Sequence, residues 1–178
     1  MRTLLFLTAT SLVAAAFGQG STQTDPAKPY ERLEVVMVDS SMKAEQVYSI
    51  AKRWFVDSFR DAGEVIQLDD PAEKIIMGKG SGTVNWTMKG FGGGTKAMAY
   101  SFSIEVQAKA GRYRVKLYDF LMEGKSIQDI PCCYGKCDGA GKGFRDAGLQ
   151  MCTDIFTRMD QLLLSLSQAM KSPGSSDW

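Results

Sequence analysis

The sequence predicts a two-layer α+β domain, an antiparallel β-sheet with two amphipathic helices packed on one face. Two segments, 98–107 and 112–117, alternate apolar and polar residues with a period of two, as half-buried strands do. Two others, 42–62 and 149–170, repeat apolar residues every three to four positions, the spacing of a helix with one buried stripe. Glycine- and proline-containing turns separate these segments, and no internal repeat or second core is present.

Taken in order, "LEVVMV" (Leu33–Val38) is a short β-branched run that predicts the first strand. Asp39, Ser40 and Ser41 then offer side chains that can cap a helix. The first helix is expected from Met42 to Ala62, with Val47, Ile50, Ala51, Trp54, Phe55 and Phe59 facing the core. Gly63 stands where a left-handed terminator is expected. Val65–Leu68 predicts a strand, "DDPAE" (69–73) a turn and Lys74–Gly80 the returning strand. Gly80-Ser81-Gly82 predicts a bulge or bend before Thr83–Met88, and "KGFGGGTK" (89–96) predicts a loop.

In the next strand Met98, Tyr100, Phe102, Ile104 and Val106 share one face, and in its partner Tyr113, Val115 and Leu117 do. With "AKAG" (108–111) as the hairpin loop, Gln107 is expected opposite Arg112, Glu105 opposite Arg114 and Val106 opposite Tyr113. Residues 122–148 predict an irregular insertion. A last helix follows from Leu149 to Met170, with Cys152, Ile155, Phe156, Met159, Leu162, Leu163, Leu166 and Met170 on its stripe.

The N-terminus reads as a secretory signal peptide, residues 1–18. Arg2 precedes an uncharged run from Leu4 to Phe17, and Ala16-Phe17-Gly18 places small residues for cleavage. A flexible lead-in (19–32), one domain (33–171) with a cysteine-rich insertion at about 122–148, and a disordered tail (172–178) complete the expected organisation. The expected location is exported: periplasm, outer cell surface or extracellular, with no transmembrane segment in the mature chain. Removing residues 1–18 takes away one basic residue and no acid, leaving 20 basic against 20 acidic side chains. A neutral domain lacks the basic excess that nucleic-acid binding requires, so nucleic acid is not an expected partner. Histidine is absent. Its absence excludes Ser-His-Asp and Cys-His nucleophile systems and histidine metal sites.

Three stretches carry a family resemblance: "AKRWFVDSFRDAGEVIQLDD" (51–70), "KIIMGKGSG" (74–82) and "KAGRYRVKLYDF" (109–120). Their order and spacing resemble a bacterial family known as domain of unknown function 4468, over about residues 33–121. The resemblance implies a TATA-binding-protein-like fold and a secreted or envelope setting. It implies no activity, and the cysteine-rich stretch at 130–143 departs from the family's pattern.

The candidate sites are few. Cys132, Cys133 and Cys137 cluster within "PCCYGKC", with Cys152 on the last helix. Their spacing fits neither paired zinc-ligand elements nor a Cys-x-x-Cys redox motif, and in an exported chain four cysteines predict two disulfides. Pairing the adjacent Cys132 and Cys133 requires a strained ring, so Cys152 is expected to bond to one of these two and Cys137 to the other. The glycine-lysine stretches at 89–96 and 139–143 lack the glycine and Ser/Thr positions of a phosphate loop. Arg112, Arg114 and Lys116 form a basic row on the wet face of their strand, a candidate contact for carboxylates, sulfates or phosphates. Trp54, Phe55 and Phe59 read as core, and Asp69, Asp70 and Glu73 as a turn.

The expectation is therefore an exported bacterial envelope protein that works as a non-catalytic binding or accessory module. No catalytic residue, metal or cofactor is expected, and the expected partner is an unidentified envelope protein or glycan ligand. The competing expectations are a thiol–disulfide or metal-dependent enzyme centred on the cysteine cluster, and a purely structural envelope component.

Overall fold

Alternation along the strands sorts the side chains into a buried face and an open one, and the helices cover the buried face. The computed structural model describes residues 30–59, 62–90, 92–129, 133 and 141–171. The expected signal peptide, residues 19–29 of the lead-in, Cys132, Cys137 and the tail 172–178 lie outside the described residues. In chain order the elements are β1 (Arg32–Met37), α1 (Ala44–Ser58), α2 (Ala62–Val65), β2 (Ile66–Asp70), β3 (Ile75–Met88), β4 (Gly94–Lys109), β5 (Arg112–Met122), β6 (Lys125–Ser126), a single 3₁₀ turn (Ile127–Asp129) and α3 (Lys142–Lys171). One antiparallel sheet has the order β1-β5-β4-β3-β2, with β6 added beside β5. Helices α1 and α3 pack on the same face of it and on each other. This is the predicted two-layer α+β fold.

The inner face is assembled from rings laid over glycines. Strands β3 and β4 pair without interruption from Ile75↔Gln107 to Met88↔Gly94, so the predicted bulge at Gly80-Ser81-Gly82 does not occur. Gly80 lies opposite Phe102, and Gly82 lies opposite Tyr100. A Cβ on Gly80 would come within 2.3 Å of the Phe102 ring, and one on Gly82 within 2.6 Å of the Tyr100 hydroxyl. At Gly78 a Cβ would meet the Phe55 ring of α1 at 2.8 Å. The three glycines thus vacate the space that three aromatic rings fill, Gly80 and Gly82 under rings of the neighbouring strand and Gly78 under a ring of α1. The rings continue across the sheet through Phe120 and Tyr30 to Phe156 of α3, with centroids 4.9 to 5.8 Å apart from Phe102 onward. Burying each such ring contributes about 1.5–3 kcal/mol.

The β4–β5 hairpin differs from its expected register by two residues. Its loop is the two-residue turn Ala110-Gly111, so Lys109 faces Arg112, Gln107 faces Arg114, Glu105 faces Lys116 and Val106 faces Val115. Gly111 permits this turn, with φ of +68° and with its absent Cβ facing the Ser40 backbone at 3.2 Å. A shift of two preserves which face every residue occupies, so the predicted faces hold although the predicted partners do not. Further along β5, Asp119 adopts φ of +52° and the pairing jumps from Ser103↔Tyr118 to Ser101↔Leu121. This bulge moves the buried set from Tyr113, Val115 and Leu117 to Phe120 and Met122.

Both helices differ from expectation at their ends. α1 starts at Ala44 behind Lys43, whose N–H donates to the Gln46 side chain at 2.8 Å. Asp39 instead closes a local turn, accepting from the Ser41 backbone and hydroxyl at 2.8 Å each. α1 ends at Ser58, and Gly63 lies within the short α2 instead of terminating a helix. α3 begins seven residues before the expected Leu149. The early turns are held because Phe144 packs on Trp86 of β3 (4.7 Å between centroids) and because Ala147, Gly148 and Met151 are buried. Tertiary packing there overrides the low helix propensity of Gly143 and Gly148. Trp54 is buried as expected, and its indole N–H donates to Ser165 Oγ at 2.9 Å, fastening α1 to α3.

Candidate functional site: the open face of the sheet

The face turned away from the helices is a row-by-row arrangement of side chains. On β5 it carries Arg112, Arg114, Lys116 and Tyr118, the predicted basic row with an aromatic at its end. Arg114 donates to Glu105 of β4 at 2.9 Å, and Lys116 meets Glu31 at 3.0 Å while lying 4.8 Å from the centre of the Tyr118 ring. Two of the three predicted cations are therefore neutralised locally. Arg112 is not. It faces Lys109 directly across the hairpin, and among the described residues neither meets a carboxylate. Val35, Gln107, Lys109, Arg112, Tyr113 and Arg114 line a shallow depression at this corner.

The rim strand β1 inverts the usual polarity. Its open-face residues are apolar: Leu33, Val35 and Met37 are 48, 59 and 69% exposed. Its inner-face residues include Arg32 and Glu34, which pair with each other at 2.7 Å, Arg32 also reaching Asp160 of α3. Cross-strand pairing sets Leu33 beside Lys116, Val35 beside Arg114 and Met37 beside Arg112. An apolar row thus runs alongside a cationic one, about 4.8 Å apart at ordinary strand spacing. Neither the apolar row nor Lys109 was among the residues singled out from sequence. The signal was present in "RLEVVM": its charges fall on alternate positions, so its apolar residues must share the other face.

The remaining candidates have structural partners. Cys133 and Cys152 form a disulfide with Cα atoms 5.4 Å apart, one of the two pairings left open for Cys152. It ties the cysteine cluster to the core stripe of α3, where Cys152 is buried. Asp69 accepts from Lys52 and from the Tyr48 hydroxyl, which ties β2 to α1. The Lys52 and Tyr48 hydrogen bonds hold the Asp69 carboxyl below the usual carboxylate range. Burial pushes the Tyr48 phenol up to about 12, so it serves as a donor and not as a base. Asp70 accepts from the Ala72 and Glu73 backbone N–H groups at 2.9 and 3.0 Å, closing the predicted turn. Among the described residues no three of Cys, Asp or Glu gather as metal ligands, and no helix is long and apolar enough to cross a membrane.

The family described as "Domain of unknown function (DUF4468) with TBP-like fold" matches residues 34–123, half of the chain. The protein belongs to this family. The matched region begins in β1 and ends just past β5, so the open face apart from Leu33 lies inside it and the whole of α3 outside. Two solved structures have the same fold. A DUF4468 family protein from Bacteroides ovatus ATCC 8483 aligns with a TM-score of 0.57 at 14% identity, over 78% of this chain and 86% of that one. A TBP-like protein from Parabacteroides distasonis ATCC 8503 aligns with a TM-score of 0.58 at 12% identity, over 83% of this chain and 97% of that one. No curated protein matches the chain.

Proposed function

We propose that this DUF4468 protein is an exported bacterial envelope protein and a non-catalytic binding or accessory module, with the open face of its sheet as the contact surface. Export rests on the leader pattern of residues 1–18 and on the disulfide Cys133–Cys152, a bond characteristic of oxidising compartments. The observation that carries the binding reading is the inverted polarity of β1. Strand β1 turns Leu33, Val35 and Met37 to solvent while half-burying the Arg32–Glu34 pair. A fold stabilised only by its own core gains nothing from that inversion, whereas a partner covering the face would remove the apolar row from water. Arg112 and Lys109, without acidic partners among the described residues, add a demand for negative charge on the partner.

The test is cross-linking of the tagged protein in its own cell envelope. A Val35→Asp/Met37→Asp variant should lose the cross-linked partner while keeping the native unfolding temperature. A variant with all four cysteines replaced should lose stability and retain partner capture. Loss of capture only in the cysteine variant would overturn the reading in favour of chemistry at the cysteine cluster.

A further inference from the structure

On the open face of β4 and β5, Arg114 and Lys116 have carboxylate partners, whereas at the corner where β4 turns into β5 two cations have none among the described residues. Lys109 and Arg112 sit directly opposite one another there. Like charges in that position destabilise a strand pair, so the arrangement is one that a bound anion would relieve. A guanidinium fork beside a lysine ammonium is a phosphate-binding combination, and Gln107 in the same depression adds an amide donor. On the neighbouring rim strand Met37 pairs with Arg112 and Val35 with Arg114, leaving three exposed apolar side chains one strand outside the cations. A free phosphate would engage the cations and leave the apolar row in water. An anionic lipid engages both, because its phosphate lies one head-group layer behind its acyl chains.

Resting on the open face as the contact surface, we propose that its rim docks on a membrane surface bearing anionic phospholipid. The head-group phosphate settles between Lys109 and Arg112, while Leu33, Val35 and Met37 enter the boundary between head groups and acyl chains. Attachment of this kind draws on buried apolar area together with attraction to anionic lipid, and needs no spanning helix.

Vesicle sedimentation of the purified protein tests this. Vesicles containing phosphatidylglycerol should bind it, pure phosphatidylcholine vesicles should not, and added salt should weaken the binding. K109E/R112E should weaken binding by roughly tenfold or more, and Val35→Ser/Met37→Ser by a comparable factor. Leu164→Ser, equally exposed on the helical layer, should change nothing. No sedimentation with phosphatidylglycerol, or full binding by K109E/R112E, overturns the proposal. Complete displacement by soluble glycerol phosphate, with no effect of Val35→Ser/Met37→Ser, also overturns it and identifies a free phosphate site. If vesicles fail while Val35 still cross-links to an envelope protein, the lipid is wrong and the contact surface stands. If both fail, the reading beneath the proposal fails with it.

Discussion

The two faces of one sheet are built under different constraints, and β5 shows both in alternate residues. Tyr113, Val115 and Leu117 are 1, 2 and 0% exposed, whereas Arg112 and Arg114, which alternate with them, stand in solvent. On the inner face each residue has its shape dictated by a neighbour, as Gly80 is by Phe102. On the open face no neighbour dictates shape, so the choice of Val35 over a polar residue has no explanation inside the fold. The difference teaches that stability is written on the inner side of the strands and the proposed contact surface on the other, so mutations should separate them.

The largest stability loss belongs to the inner face. Phe55→Ala, which empties a fully buried site over Gly78, should cost about 3–5 kcal/mol in denaturant unfolding. Cys133→Ser, which opens a loop spanning 19 positions, should cost about 3 kcal/mol in the chain-entropy model. Reducing the wild type should cost at least as much, since it opens every disulfide the chain holds. Gly80→Ala should cost roughly 1–3 kcal/mol by driving a methyl group into the Phe102 ring. In a Phe102→Ala background the same change should cost far less, which would establish the ring–glycine pairing as its cause.

Smaller effects attach to the edges of the comparison. Asp69→Asn should cost about 0.5–1 kcal/mol, because its partner Lys52 is well exposed to solvent. The Asp69 carboxyl is held below its ordinary range, so its contribution is present above that range and is lost as pH falls through its folded value. Acid titration of wild type and Asp69→Asn should therefore converge at low pH. Burial raises the phenols of Tyr48 and Tyr113 to about 12. Stability from those two is complete below the ordinary phenol range and declines as pH rises toward 12. Smallest of all, Val35→Ser on the open face should change unfolding by no more than about 0.5 kcal/mol.

The same asymmetry decides how much was legible in the sequence. Faces were legible, because a period of two assigns Tyr113 and Arg112 to opposite sides whatever the register. Partners were not, because a slip of two keeps every face, and only the geometry of the Ala110-Gly111 turn selects Lys109 as the neighbour of Arg112. The first two turns of α3 were hidden by Gly143 and Gly148, whose weak helix propensity is overridden by the packing of Phe144 on Trp86. The basic row was visible as alternate residues of "RYRVK". The Arg114–Glu105 pair was legible from the hairpin as well, but the pairing of Lys116 was not, since Glu31 comes from another part of the chain. The apolar row of β1 was legible as one face of "RLEVVM", but that the helices leave this face uncovered was not.

The central claim is that the open face, and not the equally exposed apolar surface of the helices, meets the partner. Site-specific photo-crosslinking in intact cells tests it most directly, with a benzophenone side chain introduced at Val35 or at Leu164. The two positions are 59 and 55% exposed, so accessibility does not distinguish them. The account predicts a discrete adduct from Val35 and none from Leu164. Equal labelling from both, or an adduct from Leu164 alone, would contradict it.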